Sequence, residues 1–132
     1  MPAAFSTTVR NAQMDAITAA IGSTGLLRIY DGTRPASGGA ATTLLAQLTL
    51  SAAAAPAASA GVLNFNPVTG DPSADATGPA TWFRITTSGG SFVIDGDVGE
   101  PGSGAECIMV DTSIVVAQPV GIQSITITAG NA

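Results

Sequence analysis

At Gly25 the spacing of apolar residues changes, and that change bounds what the chain can fold into. Before it, Val9, Ala12, Gln13, Ala16, Ile17, Ala20 and Ile21 recur at i, i+3, i+4, i+7, i+8, i+11 and i+12, the spacing of one helical face; all but Gln13 are apolar. After it, apolar and polar residues alternate in short runs to the end of the chain, as strands with one buried face do. The pattern predicts one helix and then only β structure.

The helix is expected over residues 9–22, with Thr7 or Thr8 as its cap and Gly22 as a left-handed residue at its end. Its apolar side chains are mostly Ala and Ile. Such a thin stripe does not fold alone and must lie on a sheet or on a neighbouring subunit.

The expected strands are "LLRIY" (26–30), "TLLAQLTLS" (43–51), "GVLNFN" (61–66), "ATWFRITT" (80–87), "SFVIDGD" (91–97), "ECIMVD" (106–111), "SIVVA" (113–117) and "GIQSITITA" (121–129). The last points Ile125 and Ile127 inward and Thr126 and Thr128 outward. Gly89-Gly90 in "TTSGGS" gives a hairpin between two of these runs. Residues 52–60, "AAAAPAASA", are either an extended connector or a short helix stopped at Pro56. About eight short strands punctuated by Gly, Pro and Asp predict a mainly β fold. The expectation is an antiparallel β-sandwich or jelly-roll-like barrel with one N-terminal amphipathic α-helix. At 132 residues this is one domain: an arm over 1–8, the helix over 9–22 and the sandwich over 25–129.

Two loops stand out for length. "DGTRPASGGAAT" (31–42) separates the first two strands, and "NPVTGDPSADATGP" (66–79) is a polar run of turn formers, long enough to suggest a contact role. A Walker-type phosphate loop would need a Lys and a following helix; the first loop has neither. It reads as a hairpin tip whose base Arg28, Asp31 and Arg34 could brace by pairing locally.

Side-chain chemistry is sparse. There is no Lys and no His, and four Arg face nine carboxylates for a net charge of −5. Nucleic-acid binding needs a basic stripe, which four scattered Arg do not make. Without His the usual general base and commonest zinc ligand are missing; without Lys, so is Schiff-base chemistry. The single Cys107, amid apolar neighbours, can form no intrachain disulfide and is expected to be a buried hydrophobe. Asp95, Asp97 and Glu100 in "IDGDVGE" raise the question of Ca²⁺, but the EF-hand offsets are not met and a solvated turn is expected. Asp71 and Asp75 read as turn formers rather than a catalytic dyad. Trp82, beside Arg84, either caps the core or anchors an interface, and the core is the first expectation. "MPAAFSTTVR" has no signal-peptide pattern, and the Ala-rich run is too short and interrupted to span a membrane. The expectation is a soluble, non-enzymatic protein with no cofactor, made in the cytoplasm, with no nucleic-acid or membrane partner.

The stretches "FSTTVRNAQMDAITAAIGSTGLLRIYDGTRPASGGAATTLLAQLTLS", "ADATGPATWFRITTSGGSFVIDGDVG" and "VAQPVGIQSITITAGNA" resemble small structural proteins of tailed bacteriophages and prophages. The resemblance implies a virion component, and for a β domain of this size a capsid decoration (cement) protein that braces major capsid subunits. A tail, tip or baseplate β-domain is the alternative. The implied partners are the major capsid protein or other virion proteins, with a homo-oligomer also open. The implied contacts are the arm 1–8 with Phe5, the opening loop 31–42 with Asp31 and Arg34 next to Arg28, the loop 66–79 with Asp71 and Asp75, and Trp82.

Overall fold

A computed structural model describes residues 4–129. Helix α1 (Thr7–Ile21) leads into β1 (Leu26–Tyr30), β2 (Leu44–Thr49), β3 (Val62–Asn64), β4 (Gly78–Pro79), β5 (Trp82–Thr86), β6 (Phe92–Gly99), β7 (Cys107–Ile108), β8 (Ser113–Ile114) and β9 (Ser124–Thr128). Every expected strand forms, most of them shortened, and β4 is an addition inside the loop 66–79. Residues 52–60 contain no helix: bends and an isolated bridge carry the chain from β2 to β3.

Seven strands make one mixed sheet in the order β2-β1-β5-β6-β7-β9-β3, and β4 and β8 make a separate ribbon. This corrects two expectations. The sheet is not wholly antiparallel, because β6 and β7 run parallel through Val98↔Cys107 and Gly99↔Ile108. A parallel pair ordinarily needs a long crossover, but only residues 100–106 intervene. The chain doubles back there through Gly102 and Gly104, at φ +90° and +81°, values an L side chain rarely adopts. Nor is the sheet a closed barrel, since β2 and β3 end the order without pairing.

The outer edge of β2 is occupied instead by the chain's own loop 66–79. Thr49 and Thr69 exchange backbone hydrogen bonds of 3.1 and 2.9 Å, and Asp75 N–H donates to the Leu45 carbonyl at 2.8 Å. Between them, Gln47 N–H donates to Asp71 Oδ2 at 3.0 Å, while Asp71 Oδ1 accepts from Ser73 N–H. Asp71 therefore does with a side chain what a neighbouring strand would do with a carbonyl. Asp71→Ala should cost about 1 kcal/mol of stability, the net worth of such a bond. Thermal unfolding would show it, with Asp71→Asn losing less because its carbonyl oxygen still accepts.

The core draws on one face of each strand. Leu27 and Ile29 of β1, Leu48 of β2, Phe83 and Ile85 of β5, Leu63 of β3, Cys107 of β7, and Ile125 and Ile127 of β9 are all buried in a single cluster. The alternation expected for β9 is borne out on its buried side.

The helix starts two residues earlier than expected. Ser6, not Thr7 or Thr8, is its cap, its Oγ accepting from Val9 N–H at 3.2 Å. Gly22 has the positive φ expected (72°), but at ψ −151° it is not in the left-handed helical region. The larger correction concerns the buried face. Met14 and Ile21 are buried and Ile17 is partly covered, whereas Val9, Ala12, Gln13, Ala16 and Ala20 are exposed. Two polar side chains fix this rotation. Asn11 Oδ1 accepts from Gly61 N–H and Asp15 Oδ1 from Ala58 N–H, each at 2.7 Å, tying α1 to the turn before β3. Part of the arm expected over 1–8 lies outside the described residues; its last two residues are helical.

Candidate interface

The outer face of the sheet carries a polar row set by register. Gln47 lies opposite Arg28, Arg28 opposite Arg84, and Arg84 opposite Asp95, across β2, β1, β5 and β6. Arg84 and Asp95 form a fork, Nε to Oδ1 at 2.7 Å and Nη2 to Oδ2 at 3.0 Å, with side chains only 12% and 3% exposed. The Asp95 hydrogen bond holds the Arg84 guanidinium above its ordinary pKa, against the opposing effect of burial. The same pair grips the first long loop: Arg84 Nη2 donates to the Gly39 carbonyl at 2.7 Å, and Gly38 N–H donates to Asp95 Oδ2 at 3.3 Å.

The rest of that loop is pinned alongside. Trp82 is fully buried, stacked on Tyr30 at 4.4 Å between ring centroids, and its indole N–H donates to the Asp31 carbonyl and to Thr42 Oγ1, each at 3.0 Å. Asp31 Oδ1 accepts from Thr43 N–H at 3.1 Å, closing the hairpin base. Arg34 reaches across to Asp97 at 3.0 Å, an exposed pair. Arg28 donates to Gln47 Oε1 at 3.0 Å.

Thus Arg28, Asp31 and Arg34 do not pair with one another. Each takes another partner: Arg28 the Gln47 that the register sets opposite it, Asp31 the Thr43 amide, and Arg34 the Asp97 carboxylate. The loop is a hairpin connector, as expected, folded down on the sheet. Asp71 is engaged on the β2 edge, as above, and the Asp75 side chain is exposed. Phe5 is 43% exposed just ahead of the helix cap.

The three carboxylates considered for Ca²⁺ do not converge. Asp95 faces Arg84, Asp97 faces Arg34, and Glu100 Oε2 accepts from Thr112. Among the described residues no three acidic or sulfur ligands are grouped to hold a metal ion. Cys107 is fully buried, and burial first, then the Glu106 charge, push its thiol up to about 12. A water-soluble disulfide reagent at mildly alkaline pH should leave it untouched in the native chain and react on unfolding. Stability should fall as pH rises past about 8.5, where the unfolded thiol ionises and the folded one does not. Cys107→Ser should abolish that part of the alkaline decline.

The feature that the sequence reading missed lies at residues 109–123. Met109, Ile114, Pro119, Val120 and Ile122 help to line an open depression of about 510 Å³. Val110 and Val115, on its wall, are 77% and 51% exposed, and the adjoining Val116 is 50% exposed. Its single charged residue is Asp111, whose Oδ1 accepts from Ser113 N–H at 2.9 Å. A signal for it existed: "IVV" at 114–116 is an apolar run without alternation, and only Ser113 and Ile114 belong to a strand. Ile114 goes to the core, so the valines after it remain outside.

Among the described residues no helix is long and apolar enough to cross a membrane. Compared with family models, curated proteins and solved structures, the chain matches none of the three.

Proposed function

We propose that this chain is a non-enzymatic structural protein of a tailed-phage particle, a capsid decoration protein that braces major capsid subunits. The observation that carries the reading is the valine-rimmed depression at 109–123. Isolated exposed apolar residues are ordinary, but two exposed valines on the wall of a hollow with a single carboxylate, and a third beside it, support a protein contact surface. The carboxylates weighed for metal binding or catalysis are engaged within the chain: Asp95 and Asp97 by Arg84 and Arg34, Asp71 by the β2 edge. The sequence resemblance to small phage virion proteins supports the same role.

On this reading the expected two-layer sandwich is approached by the β4–β8 ribbon, whose Ile114 joins the core from outside the seven-stranded sheet. Bracing would work by avidity: many copies, each making modest contacts, sum to a shell that resists internal pressure.

Quantitative mass spectrometry of purified particles from the encoding phage tests the proposal. Hundreds of copies per particle are expected. A handful would move the chain to the tail or baseplate, and its absence would end the virion reading.

A further inference from the structure

We propose that the occupant of the valine-rimmed depression is the same surface of a second copy, so that two chains pair about a two-fold axis. This names the partner at the contact surface proposed above, and rests on that reading of it. The surface has the form that a symmetric contact requires, with convex and concave parts side by side. Val110, Val115 and Val116 project beside a hollow floored by Ile114, Val120 and Ile122. A two-fold operation lays each ridge over the other's hollow, the self-complementarity of an isologous interface.

Electrostatics allow two identical chains to meet at this site. Each copy carries a net charge of −5, so identical surfaces repel unless the face they share is nearly neutral. The depression has one carboxylate, Asp111, already accepting a backbone hydrogen bond within its own chain. By contrast, the hollow between β6 and β9 is lined by Asp95, Asp97 and Glu106 against one Arg34, and would set acid against acid. The contact engages its aliphatic side chains, and not the β8 edge: Asp111 covers the Ser113 amide, and the Val115 carbonyl accepts from Gln118 N–H.

The extent sets the strength. Twelve residues line the hollow and Val116 adjoins it, about half of the 20–30 that each side of a standard interface supplies. The dimer is therefore weak and concentration-dependent.

Sedimentation equilibrium of the purified full-length chain, carried to millimolar concentration, should show a reversible monomer–dimer exchange. Val115→Asp should abolish it while leaving the circular dichroism spectrum unchanged. Raising the concentration further should add no species larger than the dimer, since a two-fold contact closes on itself. Three results would overturn the inference: a wild-type chain that stays monomeric, an undiminished dimer in Val115→Asp, or a wild-type chain that grows past the dimer as its concentration rises. Growth past the dimer would mean that some other face of the second copy, such as the exposed side of α1, sits in the hollow. A monomer that still requires Val115 to enter particles would leave the capsid role standing with a different occupant, whereas absence from particles would end that role whatever the oligomeric state.

Discussion

Arg84→Ala should be among the most damaging single substitutions in this chain, lowering stability by about 3–5 kcal/mol, the usual cost of breaking a buried ion pair from one side. The loss comes less from the missing attraction than from what remains: an Asp95 carboxylate 3% exposed, without its fork. For a domain of this size that is a fall of roughly 10–20 °C in melting temperature. A local effect should accompany the global one. Gly39 loses the Arg84 donor, so limited proteolysis should open loop 31–43 at temperatures where the wild-type loop resists. Arg34→Ala is the control. Its partner Asp97 is 54% exposed, so the cost should stay within about 1 kcal/mol and shrink further in salt. If the two variants melted together, the clasp would not have the energetic role assigned to it.

Phe83→Ala should be comparably severe, at about 3–5 kcal/mol for a fully buried ring removed from the core. The more discriminating experiment couples it to Gly96. Gly96 lies opposite Phe83 on β6, and a Cβ built there falls 2.5 Å from the ring's Cζ and 2.6 Å from Cε1. Gly96→Ala alone should therefore cost about 1–3 kcal/mol by overpacking. With the ring gone, the added methyl enters vacated space and needs only a small shift of the Glu106 carboxylate, 3.1 Å away. The double variant should be more stable than the sum of the singles predicts, by about 0.5–3 kcal/mol. Additive losses in thermal or denaturant unfolding would refute the packing of the ring on the Gly96 backbone.

The elements of this fold were legible in the sequence wherever alternation ran cleanly. In β1 and β9, Leu27, Ile29, Ile125 and Ile127 went to the buried face that the pattern demanded. The helix was legible in place but not in orientation. Its stripe counted Ala12, Ala16 and Ala20 as apolar, yet alanines bury little area, and Met14 with Ile21 supplies the hydrophobic contact. Asn11 and Asp15 then lock the rotation through backbone amides far along the chain, which no helical spacing reveals.

The clasp shows why pairings were harder to read than strands. Counting outward from the Gly89-Gly90 turn, Thr86 faces Phe92, and an unbroken ladder would set Arg84 against Ile94. The irregularity between Ile85 and Thr86 shifts the register by one residue and sets Arg84 against Asp95 instead. One extra residue thus turns a charge facing an isoleucine into a buried ion pair. The loop 66–79 was expected to make contacts, and it does, but with the chain's own β2.

That covering of β2 also affects how the protein behaves when crowded. Along β2 the Thr49 amide and carbonyl, the Gln47 amide and the Leu45 carbonyl are taken by Thr69, Asp71 and Asp75, while at the opposite end of the sheet Val62 bonds Ser59 and Asn66 N–H reaches the Ala54 carbonyl. Open rows of such groups are what recruit foreign strands and seed cross-β growth. With these occupied, copies can be concentrated without templating one another's backbones there.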